Sequence, residues 1–106
     1  MSANRQEKIQ EALRIAAAEF LVREATHQSL VTVTRTIVSE DGKRGTIFIT
    51  VFPDSFEDAA VAFANRHRTE FAEFFKKKVR GALPPHVEFV IDLGEKNRQR
   101  LDELTN

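Results

Sequence analysis

Apolar residues recur along this chain in two rhythms, one of period 3.6 and one of period 2, and the places where one gives way to the other predict its elements. Near the N-terminus, Ile9, Leu13, Ala16, Ala17 and Phe20 fall at helical spacing, with Gln6, Glu7, Gln10, Glu11 and Arg14 mostly on the opposite side. This predicts an amphipathic helix over residues 4–22, opened by Asn4 and Glu7 as N-cap and capping box. The rhythm then switches to alternation. Residues 30–39 are rich in Val, Thr and Ile, and residues 46–52 set Ile47, Ile49 and Val51 on one side and Phe48 and Phe52 on the other. Such residues fit a pleated, half-buried surface. Glu40-Asp41-Gly42-Lys43 between them supplies the Asp-Gly turn of a hairpin. Because the second strand is apolar on both sides, Phe48 and Phe52 are expected to be covered by something other than the helices, such as a partner.

The helical rhythm returns in Phe56, Ala59, Ala60 and Phe63, and again in Phe71, Phe74, Phe75 and Val79 after a polar insert from Asn65 to Thr69. Two helices with a break are predicted. Pro53 ends the preceding strand, Asp54 or Ser55 is the expected cap, and Asp58 completes a box-like start with Ser55. Gly81 is placed to end the second helix, and Pro84-Pro85 forbids its continuation. Val87, Phe89 and Ile91 alternate as a short third strand. Residues 93–106 mix charges around Leu101 and Leu104 and read as a loose or partly helical tail. The order α-β-β-α-α-β predicts an α+β fold, a three-stranded sheet covered on one face by helices.

Composition narrows the class. A chain of 106 residues makes one domain around a modest core. With 42% hydrophobic and 30% charged residues it has the balance of a folded protein and not of a disordered one. The absence of cysteine excludes disulfides and thiolate metal sites. No apolar run nears the roughly 20 residues of a spanning helix, and residues 1–10 lack the apolar block of a signal peptide, so a cytoplasmic protein without membrane contact is expected. A net charge of zero argues against nucleic-acid binding over the whole surface. The charge is nevertheless placed: between Arg66 and Arg80 there are six Arg or Lys against two acids, Glu70 and Glu73. Arg5 and Lys8 occupy the first turn of the first helix, where they oppose its dipole. Lys76, Lys77 and Arg80 are expected opposite the phenylalanine stripe, whereas Lys78 falls among the phenylalanines and must snorkel or lie where the helix has ended. With no Tyr or Trp and most Phe committed to core stripes, recognition of phosphates and shape in folded RNA fits better than base-stacking platforms.

Catalytic signatures are missing: there is no GxSxG, HExxH, GxGxxG or Gly-rich phosphate loop. His27, His67 and His86 show no i, i+4 pairing, so no metal or cofactor is expected. His67 falls on the apolar stripe of its helix and reads as a half-buried, hydrogen-bonded structural histidine. The chain is therefore read as a binding protein and not an enzyme. The competing reading is a protein-interaction or dimerisation module without nucleic-acid binding, working through Phe48, Phe52 or an open sheet edge.

Several stretches also resemble a known family. Arg5-x-x-Lys8-Ile9 opens the first helix; Ser29-Leu30-Val31-Thr32-Val33-Thr34 leads through Val38-Ser39-Glu40-Asp41 into Thr46-Ile47-Phe48-Ile49-Thr50-Val51; and Pro85-His86-Val87-Glu88-Phe89 with Asp92 follows the helix pair. Over residues 5–92 this is similar to the bacterial ribosome-binding factor A proteins. The resemblance implies a KH-like fold of type II in residues 1–92, with residues 93–106 as a tail. It implies a non-enzymatic, monomeric factor that binds the 30S subunit and its 16S rRNA during late maturation and rRNA processing, and supports growth in the cold. Joined to the basic seam, it points to Arg5, Lys8, Arg66, Arg68, Lys76, Lys77, Lys78 and Arg80 as the RNA-binding residues. The family kinks its central helices at a small residue, any residue, then Gly. The aligned positions here are His67-Arg68-Thr69, so the bend is expected to form differently or to be shallower.

Overall fold

The computed structural model describes residues 4–24 and 29–105, which include neither His27 nor the side chain of the expected cap Asn4. The elements run α1 (Asn4–Glu24), β1 (Leu30–Val38), β2 (Arg44–Phe52), α2 (Glu57–Arg66), α3 (Arg68–Lys78), β3 (His86–Ile91) and α4 (Leu93–Thr105). The sheet order is β1-β2-β3, with β1 antiparallel and β3 parallel to β2. A direct hairpin suffices for the first pair. The parallel pair needs a crossover, and α2 with α3 supplies it.

The hairpin turns where Asp-Gly predicts. Gly42 takes φ +74°, a left-handed conformation that suits glycine, and Asp41 Oδ1 accepts bonds from the Ser39 hydroxyl and the Lys43 amide. Register pairs Leu30 with Phe52 and Val38 with Gly45, and slips at Thr34, between Val33 and Arg35. That extra residue reverses the alternation, so Val31 and Val33 before it and Val38 after it all turn inward.

The core lies between the sheet and α1, α2 and α3. Leu13, Ala16, Ala17, Phe20 and Leu21 of α1 meet Ile47, Ile49 and Val51 of β2, Val87 and Phe89 of β3, and Phe71 and Phe75 of α3. Phe71 is the hub: its ring lies 5.4 Å from Phe20 and 5.9 Å from Phe89, both edge-on, and 6.2 Å from Phe75. The stripe of α2 differs from the predicted one. Ala64 is its buried residue, with Ala60 and Val61 packed against the core, while Ala59 is exposed. A 3-10 turn over Asp54–Phe56, closed by the Phe56 amide on the Pro53 carbonyl at 3.0 Å, precedes the helix. No side chain caps that start, so the expected caps Asp54 and Ser55 are not used as such.

Amide side chains from the helices bond both outer strands. The Val38 amide donates to Gln10 Oε1 at 2.9 Å, and Gln6 Nε2 donates to the Val38 carbonyl. On the other edge, the Phe89 amide donates to Asn65 Oδ1 at 2.9 Å and Asn65 Nδ2 donates to the Phe89 carbonyl at 3.0 Å. Replacing Asn65 with Ala strands two backbone groups in partly buried surroundings. It is expected to lower stability by about 1–3 kcal/mol in urea titrations.

The segment read as a loose or partly helical tail is the 13-residue helix α4. Asp92, 4% exposed, starts it: Oδ1 accepts the Glu95 amide at 3.0 Å, while Oδ2 accepts the Thr34 hydroxyl at 2.6 Å and lies 3.3 Å from Arg35 Nε. The Arg35 guanidinium in turn stacks 3.9 Å over Phe48. Phe48 is thus partly covered by the chain's own Arg35, and Phe52 remains 68% exposed.

Candidate nucleic-acid interface

The break between α2 and α3 is one residue wide, not the five of the predicted insert. His67 leaves the helical region at φ −103°, ψ 22°, and helix resumes at Arg68. This bridge-region conformation is open to ordinary L residues, so no glycine is needed. The bend is tied from three sides. The His67 amide bonds the carbonyls of Phe63 and Ala64 at 3.2 and 3.1 Å, its Nδ1–H donates to Phe63 O at 2.8 Å, and its ring stacks on Phe63 at 4.2 Å. Phe71 N closes on His67 O at 2.9 Å, so the ladder of α3 starts from the bending residue itself. His67 is half-buried and hydrogen-bonded, as its position on the stripe predicts.

Around this break the eight sequence-predicted cations divide into groups. Arg66 and Arg68 flank His67, both exposed, and line a hollow of about 480 Å³ with Ala62, Asn65 and Thr69. Arg68 also reaches a larger groove of about 960 Å³, which it shares with Arg5 of α1. Ile9, Ala72, Ala82, Pro85 and Val87 form its less exposed lining, and the charged groups Lys43, Asp41 and Glu73 line it as well, with His86. Arg5 and Arg68, far apart in sequence, thus line one groove. Lys8 is exposed on α1 but lines neither hollow.

Lys76 and Lys77 stand exposed in the last turn of α3, where positive charge also favours the helix dipole. Arg80 lies beyond the helix end, in the turn where Gly81 adopts φ +82°. Lys78 is the last helical residue and reaches back to α1, 2.6 Å from Glu19 and 6.0 Å from the Phe74 ring. Both partners of that bridge are partly exposed, so it positions Lys78 more than it stabilises the fold. Arg23 approaches the same ring at 5.4 Å.

Two cations at this surface escaped the sequence reading. Lys43 enters the sequence reading only as part of the hairpin turn, and Arg23 lies one residue past the predicted end of the first helix. Arg23 is i+3 from Phe20, and an arginine near the helix end on the face that carries a core phenylalanine is the available signal. Among the described residues no group of three or more His, Cys, Asp or Glu converges as a metal site. No described helix is long and apolar enough to cross a membrane.

Fold and charge together define a small α+β domain that carries its cations around a helix-break-helix unit. The family model described as Ribosome-binding factor A matches residues 5–105, and the chain belongs to that family. Its fold is similar to the crystal structure of ribosome-binding factor A from Thermus thermophilus (23% identity, TM-score 0.71, 81% of this chain and 94% of that one). It is also similar to a Thermotoga maritima protein solved by NMR (20% identity, TM-score 0.69, coverage 85% and 89%). A third likeness is to the Thermus thermophilus factor as fitted into a cryo-EM map of a 30S-RbfA complex (22% identity, TM-score 0.66, coverage 85% and 93%). No curated protein matches the chain.

Proposed function

We propose that this protein binds the small ribosomal subunit through 16S rRNA during late maturation and rRNA processing, as a monomer in the cytoplasm, and supports growth in the cold. Residues 1–92 act as the RNA-binding domain and residues 93–106 as an appended segment. Family membership supports the ribosomal reading, as does the likeness to a factor fitted into a 30S complex. The observation that carries the choice of surface is the convergence of Arg5, Arg66 and Arg68 on the hollows beside His67. Lys76, Lys77 and Arg80 extend the cationic surface along α3, Lys8 adds charge on α1, and Lys78 contributes its positive field while tied to Glu19. No catalytic step is assigned to these groups: they offer charge and shape to phosphates.

Sedimentation with purified 30S particles at increasing salt tests this. The parent should show a steep loss of binding with salt, and an Arg5→Glu, Arg66→Glu, Arg68→Glu variant a weaker association. The slope of log K against log salt should shrink by roughly 2–3 if each cation meets one phosphate. Undiminished co-sedimentation of the triple variant would overturn the surface assignment. Salt-insensitive self-association without RNA binding would replace it with the dimerisation-module reading.

A further inference from the structure

The outer face of the sheet, turned away from α1, α2 and α3, presents a side-chain arrangement that the helix-break surface does not use. On β2, Gly45, Ile47, Ile49 and Val51 are buried, so Arg44, Thr46, Phe48, Thr50 and Phe52 face outward. Plain alternation along β1, with Val31 and Val33 inward, would turn Arg35 inward as well. The extra residue at Thr34 reverses this and sets Arg35 outward, opposite Phe48 in the register. A bulge interrupts the ladder, and re-aiming a side chain is one of its uses. Here the side chain re-aimed is Arg35.

Two contacts hold its guanidinium in place. Cζ lies 3.9 Å from the centre of the half-buried Phe48 ring, close enough for face-to-face stacking. Nε lies 3.3 Å from Oδ2 of Asp92, a buried carboxylate that also accepts the Thr34 hydroxyl at 2.6 Å. One face of the plane and one of its edges are therefore occupied by the chain itself. The other face is open, since the side chain is 55% exposed. An acidic peptide would compete with Asp92 for the donors and leave that face unused, and a second copy would set one Arg35 against another. An unstacked nucleobase uses the face directly, because bases of single-stranded RNA stack on guanidinium planes. We infer that the open face of Arg35, backed by Phe48, stacks an unpaired base of RNA. An arginine thereby supplies the platform for which the chain has no Tyr or Trp. Arg44, exposed on the same sheet face and about 13 Å away along β2, is within reach of a phosphate of the same strand. Glu88 also faces outward, across from Thr46, and disfavours the dense phosphates of a duplex at that row. The inference rests on the rRNA reading above and adds to it a contact on the opposite side of the sheet from the helices.

Two short strands with the same number of phosphates, oligoadenylate and an abasic ribose-phosphate strand, isolate the base. The parent should prefer oligoadenylate by about fivefold or more, the usual scale for one stacked base. Arg35→Lys keeps the charge and loses the plane. It should erase most of that preference while its affinity for the abasic strand and its salt dependence stay at the parent's level. Nuclear magnetic resonance of the parent needs no variant: the Arg35 Nε–H signal should move upfield with oligoadenylate and not with the abasic strand. An undiminished preference in Arg35→Lys, or an unmoved Nε–H signal, overturns the inference. So does an equal loss on both strands, which makes Arg35 a phosphate or folding contact. Protein-free 16S rRNA is titrated alongside. A parent that binds it but treats the two short strands alike overturns the inference alone, whereas a parent that does not bind it overturns the rRNA reading and the inference with it.

Discussion

Replacing Phe71 with Ala should destabilise this protein by about 3–5 kcal/mol, the range for truncating a large aromatic in a packed core. Phe71 is 1% exposed and touches the rings of Phe20, Phe75 and Phe89, so one residue joins α1, α3 and β3. Two of those contacts are edge-on, a geometry worth about 0.5–1.5 kcal/mol beyond burial alone. Domains of this size are stable by about 5–15 kcal/mol in total. The loss is therefore roughly a fifth of the whole or more, and calorimetry should show the midpoint falling by roughly 15–30 °C. Phe74 provides the control. It lies on the same helix 5.6 Å from Phe20 but is only half-buried, so Phe74→Ala should cost less than half as much.

The second large effect belongs to Asp92. Burial on its own raises the pKa of this carboxyl, but the Thr34 hydroxyl, the Glu95 amide and the Arg35 guanidinium outweigh that and hold it below its ordinary value of 3.8. A depressed carboxylate contributes stability that is fully present above the unfolded-state value and is lost as pH falls through the folded one. Melting temperatures should therefore hold near neutrality and drop as pH falls below about 4. Asp92→Asn retains an acceptor for the helix start but not the charge, so this part of the acid slope should be missing from it. Asp92→Ala removes the cap and the shorter of the two bonds of the Thr34 hydroxyl, which keeps the Phe48 carbonyl at 3.2 Å, an expected loss of about 1–2 kcal/mol at pH 7. An acid slope unchanged in Asp92→Asn would show that other carboxylates control it.

What could be read from residue order and what could not divide along physical lines. The core side of α1, the Asp-Gly hairpin and the phenylalanine stripe of α3 each rest on local periodicity, and each stands in the structure where that periodicity puts it. The break was legible in place but not in width. Asn65, Arg66, Arg68 and Thr69 looked like a polar insert because none feeds the core, yet polar residues on the outer side of a helix keep its backbone intact. Asn65 had a further reason to be polar that no local window contains, since its partner Phe89 is 24 residues away. Helix α4 was obscured because its leucines do not face the domain, and a stripe without a core reads as a tail. The convergence of Arg5 with Arg68 depends on the packing of α1 against the crossover and could only come from the fold.

The bend at His67 has a consequence for recognition. A glycine there would leave the two helices free to sample many relative angles, and any ligand spanning them would have to select one of these and bear the ordering entropy. With a main-chain bifurcation, a ring nitrogen bond and a stacked phenyl ring all acting on one residue, the angle is settled before anything binds. The backbone segments that carry Arg66 and Arg68 are consequently fixed relative to one another, while the exposed side chains keep their own rotamer freedom. On the rRNA-binding reading proposed above, a bend set in advance favours those phosphate backbones that match its shape.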